Sequence, residues 1–333
     1  MSKVKIAING FGRIGRHAFK VALGKKNIQI VAVNDLTDTR TLAHLLKYDT
    51  AYPDFAGSVE YDDKNLIVNG KKVNAFAEKD PTKLPWKKLK VDAVLECTGV
   101  FRTKELASQH LTAGAGKVII SAPGKGEGIS TYIKGVNSKN YKGEEIIDNA
   151  SCTTNCTAPV MRVLADVFGI KKAMMTTIHS YTADQNLQDG PHKDLRRARA
   201  AGQNIVPTTT GAAISTTKAV SELKNKFDGI AIRVPTITGS LVDFTLLLKK
   251  KVTREEVNKA LISASKGYLK GILATTNEPL VSSDYIGNPH SSIVDLEFTK
   301  VVDGDMVKIL SWYDNEWGYA NRLVEMLEVV GKA

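Results

Sequence analysis

Cys152 has the surroundings of a nucleophile. It lies in the run Asn149-Ala150-Ser151-Cys152-Thr153-Thr154-Asn155-Cys156, where Ser151 suits an N-cap and the pattern predicts a helix over 154–167. A thiol at a helix N-terminus faces the positive end of the macrodipole, which favours thiolate and lowers its pKa. Cys156 follows four residues later and shares a helix face with Cys152. That spacing matches no common zinc motif, and no metal is expected. The competing reading is a pair of small buried thiols, the ordinary fate of cysteine. Cys156 is expected to be structural, and Cys97 to be buried at a strand end. A catalytic thiol needs a base, usually histidine. Of the six histidines, His179 closes the apolar run 174–178 and begins a turn. Strand C-terminal ends are where α/β sites gather, although a satisfied core histidine fits the same pattern.

Gly10, Gly12 and Gly15 form G-x-G-x-x-G between a buried strand at 4–8 and a helix over 13–23. Gly10 suits the tight turn, Gly12 the close approach of backbone to a pyrophosphate, and Gly15 close helix–strand packing. The helix N-terminus supplies N–H donors for phosphate. A second strand, over 28–33, runs into Asp35, which lies 35 − 10 = 25 residues after Gly10. An acid there takes ribose hydroxyls and repels a 2′-phosphate, so the cofactor reads as NAD rather than NADP. The alternative is a glycine turn that only packs a helix on a sheet. Arg233 stands inside the apolar run 230–234, where arginine calls for an anionic partner. Ser151, Thr153, Ser180, Thr182 and Thr208-Thr209-Thr210 lie near these residues in sequence. Arginine with hydroxyls suits a phosphate cradle, whereas the threonine run alone is explained by strand and turn chemistry.

These residues must be carried by a larger scaffold. The chain has 333 residues with 43% hydrophobic and 24% charged side chains, which fits two folded domains and excludes disorder. Over 1–150, strands at 4–8, 28–33, 91–95 and 118–120 alternate with helices, which predicts a doubly wound, mostly parallel Rossmann sheet. Residues 61–73 read instead as a hairpin turning at Asn69-Gly70. From 151 the strands lengthen and take antiparallel character, at 173–178, 230–234, 242–248, 293–302 and 306–312, with a hairpin at Asp303-Gly304. The second domain, 151–317, is thus expected to be an α+β domain of largely antiparallel sheet and helices. An amphipathic helix at 318–333 is expected to dock back on the first domain. The polar stretch 184–203 is long for a plain connection, and such loops tend to be functional.

No apolar run is long enough to span a bilayer, and the N-terminus lacks a secretory pattern. Three cysteines imply no disulfide framework, so a cytoplasmic location is expected. The net charge of +11 reads as a solvated lysine-rich surface. A nucleic-acid or adhesion role has no aromatic platform or reading helix behind it, and neither nucleic acid nor membrane is expected as a partner.

Taken in order, the motifs resemble the bacterial-type glyceraldehyde-3-phosphate dehydrogenase family over essentially the whole chain. They are NGFGRIGR from Asn9, VND from Val33, ECTG from Glu96, SAP from Ser121, ASCTTNCTAP from Ala150, HSYT from His179, RRAR from Arg196, TTTGA from Thr208, RVPT from Arg233 and WYDNEWGY from Trp312. The resemblance implies a Cys152 nucleophile and a His179 base. It implies Thr182 and Arg233, with Asp184 nearby, for the substrate's own phosphate, and Ser151, Thr153, Thr210 and Gly211 for attacking inorganic phosphate. It implies NAD contacts at Phe11, Gly12, Arg13, Ile14, Asp35, Thr98, Ser121 and Asn315. Lys79 stands where the family often has arginine near the adenine. Gly124 and Gly190 depart from the alanine and leucine common in bacterial relatives.

The implied reaction is oxidation of glyceraldehyde 3-phosphate with NAD and inorganic phosphate, through a thiohemiacetal and a thioester on Cys152. The resemblance further implies a homotetramer, with the region of about 181–204 as a loop at a subunit interface. Erythrose-4-phosphate dehydrogenase is the nearest alternative, and this chain keeps the triose-phosphate pattern at Ser180-Tyr181-Thr182 and Thr210-Gly211.

Overall fold

The apolar run at the N-terminus becomes the central strand of a sheet because it is buried on both faces: Ile6, Ala7 and Ile8 have no exposed surface. The structure, a computed structural model, describes residues 3–331. Met1, Ser2 and the last two residues of the expected C-terminal helix, Lys332 and Ala333, lie outside the described residues. The chain divides into two compact units. One comprises the residues up to Tyr132, Asn140–Ala150 and the segment from Ala320, and the other comprises Ile133–Lys139 and Ser151–Tyr319.

The first unit carries β1 (Val4–Asn9), α1 (Arg13–Leu23), β2 (Ile28–Asn34), α2 (Thr39–Lys47), β3 (Val59–Asp62), β4 (Asn65–Val68) and β5 (Lys71–Phe76). It continues with α3 (Trp86–Leu89), β6 (Ala93–Glu96), α4 (Lys104–Thr112), β7 (Lys117–Ile120), β8 (Ser130–Thr131) and β9 (Ile146–Asp148). The strand order is β3-β4-β5-β2-β1-β6-β7-β9-β8. Every pairing from β5 to β8 is parallel. The order reverses around β1, with β2 on one side and β6 on the other, so the crevice beyond the end of β1 is the topological switch point where such sheets bind ligands. The hairpin expected at 61–73 is the antiparallel β4–β5 pair. Asn69 and Gly70 both take positive φ, 50° and 73°, as a two-residue type I′ turn demands.

The second unit carries α5 (Cys152–Phe168), β10 (Ile170–Ser180), β11 (Val206–Thr209), α6 (Ala212–Ala219), β12 (Phe227–Val234) and β13 (Ser240–Leu248). After these come α7 (Arg254–Lys266), β14 (Leu273–Thr276), β15 (Ser292–Val302), β16 (Met306–Tyr313) and α8 (Trp317–Val330), which enters the first unit at Ala320. The sheet order is β11-β12-β10-β13-β16-β15-β14. Helix α5 lays Val160, Met161 and Leu164 against Met175, Phe244, Val294 and Ile309 of the sheet, in one buried cluster.

One detail differs from the sequence expectation. α5 begins at Cys152 rather than 154, because the Ser151 hydroxyl accepts the Thr154 N–H at 3.1 Å and so caps the helix one residue before the thiol. The sheet is largely antiparallel, as expected, with β10–β12 and β14–β15 as its parallel pairs. The first of these sets the site, as it places His179 and Arg233 opposite one another on neighbouring strands. Residues 184–203 contain only a short 3-10 turn at Ala201–Gln203, and ion pairs between Arg197 and Asp184 and between Arg199 and Asp189 brace them.

Candidate active site

The sulfur of Cys152 lies 3.4 Å from Nε2 of His179. The two come from different elements, the first residue of α5 and the penultimate residue of β10. His179 is buried, and its ring meets Tyr313 edge to face with centroids 5.9 Å apart. Nδ1 of His179 is 2.6 Å from the Ser180 carbonyl. A carbonyl only accepts, so a proton on Nδ1 satisfies it and leaves the Nε2 lone pair to the thiol. Arg233 Nη1 donates to the same carbonyl at 2.9 Å, which brings it within 2.7 Å of Nδ1. The parallel register thus sets a fixed positive charge against the imidazole.

Burial pushes the Cys152 thiol up, and the Arg233 charge opposes that without overcoming it. Burial and then Arg233 push His179 down to about 3. Burial of the sulfur thus opposes the lowering expected from the helix N-terminus.

The hydroxyls separate into two groups. Ser151 caps α5 and lies 2.9 Å from the Thr154 hydroxyl, while Thr153 Oγ1 lies 2.9 Å from the Tyr313 hydroxyl. Thr210 accepts the Ala212 N–H at 3.2 Å at the start of α6, where Gly211 is the exposed N-cap. Thr182 is half-buried two residues after β10, and the exposed Asp184 pairs with Arg197. Arg233 has no carboxylate among its hydrogen-bond partners, and its Nη2 makes no hydrogen bond within the described residues, so the guanidinium keeps donors of a kind that suit phosphate. Cys156 is fully buried beside the Ser292 hydroxyl at 3.5 Å, and its thiol is pushed up to about 12 by burial. Cys97 is half-buried rather than buried, since it follows the end of β6 instead of lying within it. Among the described residues, no group of three or more His, Cys, Asp or Glu could hold a metal ion.

In the first unit, the glycine turn fits a dinucleotide. Gly10 has φ +89°, and a Cβ on Gly15 would lie 2.0 Å from the Gly10 carbonyl oxygen, so α1 packs on the turn at glycine distance. A Cβ on Gly12 would meet nothing within 4 Å, and no side chain caps the helix that starts at Arg13. A helix N-terminus with no side-chain cap suits pyrophosphate. Asp35 accepts the Phe11 N–H at 2.7 Å through one oxygen, leaving the other for ribose. The Phe11 ring is buried against Phe19, so a cofactor contact there falls to its backbone. Arg13 pairs with Asp49 at 2.8 Å, and Ile14 is half-exposed. Lys79 is exposed, Thr98 bonds Glu96, and the Ser121 N–H donates to the Glu96 carbonyl at 2.9 Å. Asn315 belongs to the second unit. Its Oδ1 accepts from Gly239 N–H at 3.0 Å and the Ser240 hydroxyl at 2.8 Å, so only its amide N–H groups remain to donate.

Tyr313 was not among the residues singled out from sequence. Its hydroxyl lies 2.9 Å from both Thr153 Oγ1 and Thr177 Oγ1, joining α5 to β10. No spacing announces this, because the three residues meet only through the tertiary fold.

Residues 4–104 match the family described as glyceraldehyde 3-phosphate dehydrogenase, NAD binding domain, and residues 151–315 match its C-terminal domain. A glyceraldehyde-3-phosphate dehydrogenase of Thermotoga maritima is 56% identical over 331 residues, covering 98% of this chain and 99% of that relative. One from Geobacillus stearothermophilus is 55% identical, covering 97% of each chain. Glyceraldehyde-3-phosphate dehydrogenase 1 of Bacillus subtilis is 54% identical, covering 99% of this chain and 98% of the relative. With both halves matched and such identity sustained along the chain, this protein belongs to the glyceraldehyde-3-phosphate dehydrogenase family of NAD-dependent oxidoreductases.

Proposed function

We propose that this chain performs the phosphorylating oxidation of D-glyceraldehyde 3-phosphate to 1,3-bisphosphoglycerate, a step of glycolysis and gluconeogenesis. The observation that carries this reading is the 3.4 Å approach of the Cys152 sulfur to His179 Nε2, beside a guanidinium whose Nη2 makes no hydrogen bond within the described residues. His179 draws the thiol proton as sulfur attacks the aldehyde carbon. It returns that proton to the oxyanion, giving a thiohemiacetal on Cys152. NAD, when bound, supplies the hydride acceptor. His179 takes the hydroxyl proton in that oxidation, leaving a thioester. Inorganic phosphate attacks the thioester carbonyl, expels the Cys152 sulfur and departs as the acyl phosphate. Neutral imidazole suits both proton transfers, since a base already protonated near pH 7 serves neither.

In this reading Arg233 and Thr182 take the phosphate of the aldehyde, and Ser151, Thr153, Thr210 and Gly211 take inorganic phosphate. Gly10, Phe11, Gly12, Arg13, Ile14, Gly15, Asp35, Lys79, Thr98 and Ser121 form the cofactor cradle, with the Asn315 amide donating to the nicotinamide. The first unit serves as the cofactor domain and the second as the catalytic domain. The reading includes a cytoplasmic homotetramer with 181–204 at an interface. It is supported by Leu187 and Leu195, which leave apolar side chains 83% and 80% exposed on that loop. Among the described residues no helix is long and apolar enough to cross a membrane.

The test is NADH formation from glyceraldehyde 3-phosphate with and without phosphate or arsenate, repeated with NADP and with erythrose 4-phosphate. Sustained turnover only with phosphate or arsenate is expected. Full turnover without either, or a preference for erythrose 4-phosphate, overturns the assignment.

A further inference from the structure

Three neighbouring strands of the first unit run apolar over the three residues before their last and then end in a polar one. β1 ends in Asn9, β2 in Asn34 and β6 in Glu96, all buried. They reach sideways to one another. Asn9 donates to Glu96 Oε2 at 2.6 Å, and Asn34 donates to Asn9 Oδ1 at 2.7 Å. Each also holds the loop beyond a strand. Glu96 Oε1 accepts the Thr98 N–H at 2.8 Å and the Thr98 hydroxyl. Asn34 exchanges hydrogen bonds with the backbone of Glu78, and its carbonyl accepts the Gly10 N–H at 2.8 Å.

Behind Glu96 stands a fully buried pair, His110 and Trp86. The Trp86 indole N–H lies 3.1 Å from His110 Nδ1. An indole only donates, so Nδ1 is the acceptor and the imidazole proton sits on Nε2. Nε2–H then donates to Glu96 Oε2 at 3.0 Å. The carboxylate collects donors from Asn9, His110 and Thr98, and Phe101 closes over His110 with centroids 5.9 Å apart. Neither His110 nor Trp86 has a part in the chemistry assigned above. Burying a carboxylate is expensive unless its hydrogen bonds are complete, and apolar residues would fill the space at lower cost. What the polar set does that apolar residues would not is fix three loops in register with one another.

We propose that Glu96 and His110, with Trp86 setting the imidazole tautomer, are positioning residues that preform the dinucleotide cradle before cofactor binds. This inference rests on the cofactor site assigned above. The loops they pin carry Gly10, Lys79 and Thr98, each at the carboxyl end of the parallel sheet. A cradle already in place binds without first ordering those loops.

The test uses the full chain and NAD itself. His110→Leu removes both hydrogen bonds of the ring, whereas His110→Gln offers an amide carbonyl to Trp86 and an amide N–H to Glu96. His110→Leu is expected to weaken NAD binding on the order of tenfold, the low end of what losing a hydrogen bond to a charged group does to an equilibrium. His110→Gln should recover most of that, while iodoacetate alkylation of Cys152 in the NAD-free protein stays at the wild-type rate in both. NAD affinity in His110→Leu equal to wild type overturns the inference. In wild type, hydrogen exchange at the Thr98 amide should be slow before NAD is added and little changed after. Free exchange that slows only with NAD overturns the inference whether or not the variants fold. Failure of wild type to bind NAD would instead overturn the cofactor site on which it rests.

Discussion

Arg233→Ala separates the role of the guanidinium from that of the cofactor. An arginine has five N–H donors; here one Nη1 N–H serves the Ser180 carbonyl, and the two of Nη2 make no hydrogen bond within the described residues. At least two donors are therefore open to a phosphate. Each hydrogen bond to a charged group contributes about 1.5 kcal/mol or more, so their loss removes about 3 kcal/mol, or roughly 150-fold in kcat/KM for glyceraldehyde 3-phosphate. The measurement is kcat/KM at saturating NAD, set beside the NAD dissociation constant by fluorescence titration. The latter should stay within about twofold, because no contact of Arg233 lies in the glycine turn. A second readout follows from the charge. Arg233 helps hold His179 down, so its removal raises the His179 pKa and moves the acid limb of the rate profile to higher pH. If the substitution mainly raises the NAD dissociation constant and leaves kcat/KM for the aldehyde near wild type, the phosphate assignment is wrong.

Cys152→Ala should abolish NADH formation, and iodoacetate should label Cys152 faster than Cys97 or Cys156, whose thiols burial pushes up without a guanidinium to oppose it; peptide mapping of a brief labelling reads this directly. Asp35→Asn keeps an acceptor for the Phe11 N–H but drops the negative charge, so NAD should bind roughly tenfold more weakly and discrimination against NADP should narrow, as competitive titration of both cofactors would record. His179 is depressed to about 3 in the fold against an ordinary 6.5, so its contribution to stability is complete above the unfolded value and is lost as pH falls from there towards the folded one. Unfolding at pH 7 and at about pH 4.5 should show a loss of about 2 to 3 kcal/mol that His179→Asn does not share, and equal losses in both proteins would contradict this origin.

Some of this is legible in the sequence because it is local. The glycines at 10, 12 and 15 and the acid at 35 each answer a constraint set within a few residues, and the Asn69-Gly70 turn needs only its own backbone angles. The thiol at the head of α5 is visible for the same reason, through the serine that caps it. What the sequence hides is pairing. The run 227–234 shows no sign that it lies parallel to β10, and without that register Arg233 cannot be placed beside His179. The helix end's effect on Cys152 is local and legible, whereas burial, which opposes it, belongs to the whole fold.

Tyr313 ties the thiol's helix to the imidazole's strand through one hydroxyl, against Thr153 on the first and Thr177 on the second. Sulfur and nitrogen therefore ride on a braced frame, and a thermal fluctuation that displaces one carries the other along. Warming such a frame does not widen the gap by degrees. Reactivity of the thiol should persist nearly undiminished until the sheet that carries β10, β13 and β16 itself comes apart, and then vanish over the same few degrees as the fold.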